Sequence, residues 1–281
     1  MNQKVAIVTG ANSGMGLATS VEMANKGYHV IMLCRNKQRG EQAVESAKIQ
    51  LTNGSVELQL CDLGSLDDIR SYTESFIQSG KALDVLIANA GVVTTKRQET
   101  KDGFEAMLGV NHLGHFLLIQ LLLDKLKQSL DGRIVIVSSG AHKWGDINFN
   151  DPHMTKKYSI MKGYGQSKLA NILYTRRLAK ELKGTNVSVN ALHPGAVATN
   201  LGVNRDTGFG KAIYRLLKPF FQTPEQGSRT AVYLATDEEI EHVSGEYFIK
   251  AARAPISKRA ADDGLADKLW EWSQKQTGMK S

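Results

Sequence analysis

The sequence predicts an α/β fold in one unit spanning residues 1–281: a doubly wound, mostly parallel sheet of seven strands with helices on both faces. Three observations carry this. Short β-branched runs alternate with longer helical patterns from end to end. Several short runs are apolar throughout, as in Ile134-Val135-Ile136-Val137, which is how strands covered on both faces read. Only five prolines occur and no Pro/Gly/Ser-rich stretch interrupts the alternation, so no linker separates two domains.

The elements follow in order. Val5–Val8 is the first strand, and Gly14–Lys26 the helix that leaves it. His29–Leu33 with Lys37–Leu51 repeats the unit, as does Val56–Leu60 with Ser65–Gln78. Val85–Ile87 precedes Asp102–Gln128, a long apolar helical pattern. Its most apolar run, Phe116–Leu123, is too short to span a bilayer, so no transmembrane segment is expected. Arg133–Val137, a long insert and Met161–Leu182 follow. Ser188–Ala191, Pro224–Ala235 and Glu246–Ile249 complete the sheet. A tail helix over 262–278, with Leu265, Leu269, Trp270 and Trp272, docks on it.

Composition narrows the function. Hydrophobic residues at 42% and charged residues at 22% describe an ordinary globular protein. The net charge of +7 raises nucleic acid as a partner. The cations are dispersed among acids, as in Lys180-Glu181-Leu182-Lys183, with no contiguous basic face, so no nucleic-acid partner is expected. Cys34 and Cys61 form no disulfide framework, and Lys4–Gly10 already reads as strand where a leader would sit. Both point to a reducing, cytoplasmic setting.

Chemistry in such sheets sits just beyond the strands' carboxyl ends. After the first strand comes Gly10-Ala11-Asn12-Ser13-Gly14-Met15-Gly16. Glycines at this spacing let the backbone turn tightly and approach a pyrophosphate, and the helix that begins there offers free N–H groups. A Rossmann-type dinucleotide site is predicted. The second strand ends at Arg35, with no acid to hold ribose hydroxyls. A guanidinium there pairs with a 2′-phosphate, which predicts NADP(H) over NAD(H). Asp62, followed by Leu63, ends the third strand and either accepts from an adenine amino group or caps the next helix. Asn89-Ala90-Gly91 ends the fourth, where small residues admit a cofactor close to the backbone.

Tyr164 and Lys168, four apart in a helical pattern, share one face. Free tyrosine, with a pKa near about 10, is a poor base. A cation ~5 Å away at an effective dielectric of ~20 supplies about 3 kcal/mol toward lowering it. Ser138 and Ser139 end the fifth strand and point in different directions.

Together these residues resemble the short-chain dehydrogenase/reductase family. The matching elements are Thr9-Gly10 through Gly14-Met15-Gly16, Asn89-Ala90-Gly91, Asn111, Ser139, Tyr164-x-x-x-Lys168, and Pro194-Gly195 through Thr199, in order from Lys4 to about Ile249. Val110 to Phe116, Tyr164 to Asn171 and Leu192-His193-Pro194-Gly195 resemble the retinol dehydrogenase-like branch. The resemblance implies an oxidoreductase interconverting an alcohol and a ketone or aldehyde. Tyr164 is then the acid/base and Ser139 holds the substrate oxygen, with Ser138 the lesser candidate. Lys168 lowers the tyrosine pKa and holds the nicotinamide ribose. Asn111 holds a water that connects Lys168 to solvent. Thr199 binds the carboxamide, with Pro194, Gly195 and Val197 shaping the backbone. Ala88 stands where the family more often has asparagine.

The segment Leu201–Thr223 falls where relatives carry a substrate lid. Its aromatic residues and interleaved Lys211, Arg215 and Lys218 fit a lid over an apolar carbonyl substrate such as a retinoid, steroid or fatty aldehyde, ordinary helix packing, or a peripheral membrane contact. His142, Lys143 and Trp144 read either as pocket lining or as a packed Trp beside a surface His. Phe116–Leu126 is a candidate homo-oligomer contact. The rival reading is a catalytically idle dinucleotide sensor or scaffold. Such proteins typically lack the tyrosine or lysine, and here Asn111, Ser139, Tyr164 and Lys168 are all present.

Overall fold

The computed structural model describes residues 3–195 and 223–279. Eight strands form one sheet in the order β3-β2-β1-β4-β5-β6-β7-β8, parallel except for the last pair. The strands are β1 Val5–Thr9, β2 His29–Cys34, β3 Ser55–Leu60, β4 Val85–Ala88, β5 Gly132–Val137, β6 Val187–His193, β7 Tyr247–Ile249 and β8 Ala252–Arg253. The helices are α1 Gly14–Asn25, α2 Lys37–Lys48, α3 Leu66–Gln78, α4 Ala106–Leu108, α5 His115–Lys127, α6 Ile160–Glu181, α7 Pro224–Thr236 and α8 Asp263–Thr277.

Strand alternation explains why both faces are covered. On β1, Ala6 and Val8 join a core with α1, α2 and α7, while Val5 and Ile7 join another with α3, α5 and α6. On β5, Val135 and Val137 take the first side, Ile134 and Ile136 the second. A strand so placed buries every side chain, each contributing roughly 1.5–3 kcal/mol. Strand order reverses between β1 and β4, which opens a crevice at their carboxyl ends.

Two sequence expectations are corrected. The sheet has an eighth strand, not seven. β7 and β8 pair antiparallel across Lys250 and Ala251, both at positive φ (52° and 59°). Such a two-residue turn usually announces itself by Asn or Gly. Here the Ala251 N–H donates to Thr230 Oγ1 at 3.2 Å, a tertiary contact with no local signature. The single helix expected over Asp102–Gln128 is also broken. Gly103 turns at φ 82°, and the buried Glu105 carboxylate accepts from the Met107 and Leu108 N–H groups to start α4. A π-turn over Gly109–Gly114 then leads into α5. Gly114 lies so close to Leu63 that an added Cβ would stand 2.2 Å from the Leu63 carbonyl oxygen. This inserts a register shift at Asn111 that a 3.6-residue pattern does not reveal.

The helical stretch Ala106–Lys127 is long and apolar enough by composition to cross a bilayer, a property not anticipated from Phe116–Leu123 alone. In the fold it is a core element, with 78% of its most apolar 18-residue window buried. Phe116 packs edge-on against Trp270 of α8 at 5.5 Å. The same tryptophan lies under Arg177 at 4.9 Å, and Arg177 pairs with Asp267 at 2.7 Å. Asp262 caps α8 through Leu265 N–H, and Gly278 ends it in the left-handed region.

α8 also reaches the π-turn, where Ser273 Oγ and His112 Nε2 are 2.9 Å apart. Burial lowers the His112 imidazole to about 3 and the His115 imidazole to about 4. The unfolded chain therefore binds protons from about pH 6.5 downward that the native state refuses. Stability is lost as pH falls from about 6.5 toward about 4. A melting series across that window should show a fall of several degrees, and His112→Asn should flatten part of the slope relative to wild type.

Candidate active site

A cleft of about 1020 Å³ occupies the crevice beyond β1 and β4. Gly10, Asn12, Ser13, Met15, Gly16, Arg35, Asp62, Leu63, Asn89, Ala90, Gly91, Ser139, Tyr164, Lys168, Pro194 and Gly195 all line it. Gly14 and Asn111 stand behind its wall, Gly14 turning the chain into α1 at φ 54° and Asn111 fully buried. Val197, Thr199 and residues 201–222 of the expected lid lie outside the described residues.

At the loop after β1, space decides the residue types. A Cβ on Gly16 would stand 2.3 Å from the Gly10 carbonyl oxygen and 2.6 Å from Asn89 Nδ2. Asn89 braces this loop rather than projecting from it, since its Nδ2 donates to the Thr9 carbonyl at 2.7 Å. Ser13 makes no side-chain cap on α1, and no acid sits in its first turn. By contrast α2, α3, α6, α7 and α8 are each closed by a capping side chain. The α1 amides thus meet the cleft with their dipole unopposed, and the loop and helix end fit a dinucleotide pyrophosphate. Gly16→Ala should force the loop apart and weaken dinucleotide binding by about tenfold or more, the scale of an overpacked contact. Fluorescence titration with NADPH would measure it.

Arg35, just after β2, and Arg39, in the first turn of α2, both line the cleft. Arg39 is not among the residues expected from the sequence, because it lies within α2 rather than at the end of β2. Its spacing of four from Arg35 at the start of α2 was the available signal. The one carboxylate lining the cleft among the described residues is Asp62. It does not cap α3, a role taken by Ser65 toward Asp68 N–H. Instead Asp62 Oδ1 accepts from Gly64 N–H at 2.9 Å, and Oδ2 lies 3.7 Å from Lys101 Nζ. Cys34 and Cys61 are free and buried, with thiols pushed up to about 11 and about 12, so neither is a nucleophile.

At the other end, α6 presents Tyr164 and Lys168 on one face, the lysine Nζ 5.6 Å from the tyrosine ring centre. Their electrostatics differ from the sequence expectation. Burial raises the Tyr164 phenol above its usual value, opposed only by the Ser139 hydroxyl beside it. Burial also lowers the Lys168 ammonium to about 8. The ammonium donates to the Val137 carbonyl at 3.1 Å, which holds it on the strand rather than on the phenol. Both groups lose solvation before they gain from each other, so the pair in this state keeps Tyr164 protonated. Such a phenol is poised to give a proton.

The two serines separate as alternation along a strand requires. Ser138 is buried, and its hydroxyl donates to the Lys168 carbonyl at 2.7 Å. Both residues line the cleft, but it is Ser139, accepting from Ala141 N–H, whose hydroxyl lies beside the Tyr164 phenol. His142 and Trp144 correct the sequence reading: the histidine is buried and the tryptophan is 54% exposed, and neither lines the cleft. His142 Nδ1 donates to the Ser139 carbonyl at 2.8 Å while Nε2 accepts from Ser257 N–H at 3.3 Å, fixing the serine from behind. His193, not singled out from the sequence, lines the cleft beside Pro194. The Asn111 amide exchanges hydrogen bonds with the Val92 backbone and donates to Ser167 Oγ at 3.1 Å, which uses both of its N–H groups.

The family model for short chain dehydrogenase matches residues 4–209. Human retinol dehydrogenase 14 is 43% identical over 294 residues, covering 99% of this chain and 88% of its own length. Human retinol dehydrogenase 12 is 42% identical over 277 residues, covering 99% and 87%. Among solved structures, an uncharacterized protein from Mycobacterium paratuberculosis superposes with a TM-score of 0.79 at 34% identity, covering 98% of this chain and 94% of that one. A Beutenbergia cavernae protein, described as an NAD(P)-dependent gluconate 5-dehydrogenase and holding NADP at low occupancy, superposes at 0.70 with 27% identity, covering 88% and 94%.

Proposed function

Because the chain belongs to the short-chain dehydrogenase family, whose members are NAD(P)-binding oxidoreductases, we propose that it is an NADP(H)-dependent enzyme reducing an apolar ketone or aldehyde, or oxidising the corresponding alcohol. The observation that carries the reading is one cleft with Arg35 and Arg39 at one end and Ser139, Tyr164 and Lys168 at the other. Two guanidiniums beside the open end of α1 suit a 2′-phosphate next to a pyrophosphate. Similarity to retinol dehydrogenases along nearly the whole chain favours an apolar carbonyl such as a retinoid, steroid or fatty aldehyde.

The residues divide the work. The nicotinamide, when bound, supplies the hydride to the carbonyl carbon. Tyr164 gives its phenolic proton to the carbonyl oxygen, forming the alcohol, and is reprotonated from solvent. Ser139 donates to the same oxygen as negative charge develops there. Lys168 binds the ribose hydroxyl, and its charge stabilises the phenolate left after proton transfer. The raised Tyr164 phenol suits reduction, since it holds a proton to give. The test is loss of NADPH absorbance with bulky apolar aldehydes and ketones, NADH run in parallel. Turnover with NADPH and apolar carbonyls supports the reading, and turnover only with NADH or only with small polar carbonyls overturns it.

A further inference from the structure

His115 opens α5 immediately after the π-turn and is 2% exposed. Its Nε2 lies 2.8 Å from Thr9 Oγ1, and its Nδ1 lies 3.2 Å from the Asn111 carbonyl oxygen. Valence decides where the protons are. A carbonyl only accepts, so Nδ1 carries the hydrogen, and in the neutral ring Nε2 is then a bare lone pair. The Thr9 hydroxyl accepts from the Asn89 and Ala90 N–H groups, both at 2.9 Å, which fills its two lone pairs. Its one proton goes to Nε2 at 2.8 Å, the Ile87 carbonyl being farther at 3.4 Å. The result is a one-way chain of hydrogen bonds from Asn89 and Ala90 through Thr9 and His115 to Asn111.

Each end of that chain borders the cleft. Thr9 precedes Gly10 of the dinucleotide loop, and Asn89 and Ala90 line the cleft directly. At the far end, Asn111 clamps Val92 and Ser167, the residue before Lys168. We infer that His115 is a positioning residue, a neutral imidazole that holds the dinucleotide loop in register with the Asn111–Lys168 side of the site. Burial without a carboxylate partner keeps the ring neutral. An imidazolium would set two N–H donors against the ends of the chain and force the Thr9 proton to turn away. The inference rests on the family's dinucleotide binding, and on the proposed carbonyl reduction only for its turnover readout.

Three substitutions separate the two arms. His115→Phe removes both bonds, His115→Gln keeps an acceptor near the Nε2 position, and His115→Asn keeps a donor near the Nδ1 position. NADPH binding is read by fluorescence titration and kcat by absorbance with whichever carbonyl the wild type reduces. Expected is a split: the Phe variant loses about five- to tenfold in both, the scale of one to two neutral hydrogen bonds, while Gln restores mainly binding and Asn mainly kcat. Imidazole 15N spectra of the wild-type protein should show the His115 resonance as the Nδ1–H tautomer down to about pH 5, below the usual histidine range. Native binding and kcat in the Phe variant, or an Nε2–H tautomer, overturns the inference. The spectrum decides even where a variant does not fold. A wild type that binds NADPH and reduces no carbonyl defeats the proposed reaction, leaving binding and spectrum to judge His115.

Discussion

Replacing Tyr164 by Phe should lower kcat by ~10²–10⁴-fold, the range attributed to a positioned acid or base. The ring is retained, so packing is kept and only the phenolic proton is lost. NADPH affinity should change by less than about threefold, because removal of one hydroxyl at a partly solvated position costs at most about a neutral hydrogen bond. A pure kcat effect is the signature of an interaction made only in the transition state. The pH profile sharpens the test. Lys168, lowered to about 8 by burial, loses its charge above that value while unfolded lysine keeps it. The ammonium that steadies the phenolate is thus present below about pH 8 and fades above it, so the reductive rate should decline there. Comparable kcat in the Tyr164→Phe protein, measured by NADPH consumption, would remove Tyr164 from the mechanism.

The second large effect concerns the cofactor. Arg35→Ala and Arg39→Ala together should raise the NADPH dissociation constant by about 100-fold and leave that for NADH within about threefold. Each hydrogen bond to a charged group is worth ~1.5–3 kcal/mol, and two arginines that share one phosphate, as proposed, would lose it in ways that are not strictly additive. Single variants should each fall between wild type and the pair. Asp62, the one cleft carboxylate among the described residues, accepts from Gly64 N–H and lies 3.7 Å from Lys101 Nζ. Equal losses for NADPH and NADH would reassign the arginines to general support of the adenosine end.

What sequence alone determined follows from short-range regularity. The alternation of apolar runs with helical patterns identifies the parallel sheet because strands buried on both faces have no polar side to show, as in Ile134 to Val137. Gly10 and Gly16 are legible because close backbone approach admits no other residue. Tyr164 and Lys168 are legible because four residues make one helical turn. The tertiary structure decided what depends on partners far along the chain. Thr9 and His115 meet across 106 positions, and that contact turns an apparent helix-face histidine into a joint between two halves of the site. His142 is buried because Ser257 and Tyr247 close over it, which its own sequence neighbours do not reveal. Burial likewise governs the chemistry. Spacing brings Lys168 to Tyr164, yet the lysine hydrogen is drawn to Val137 and desolvation keeps the phenol protonated, since the cost of removing a charge from water depends on everything packed around it.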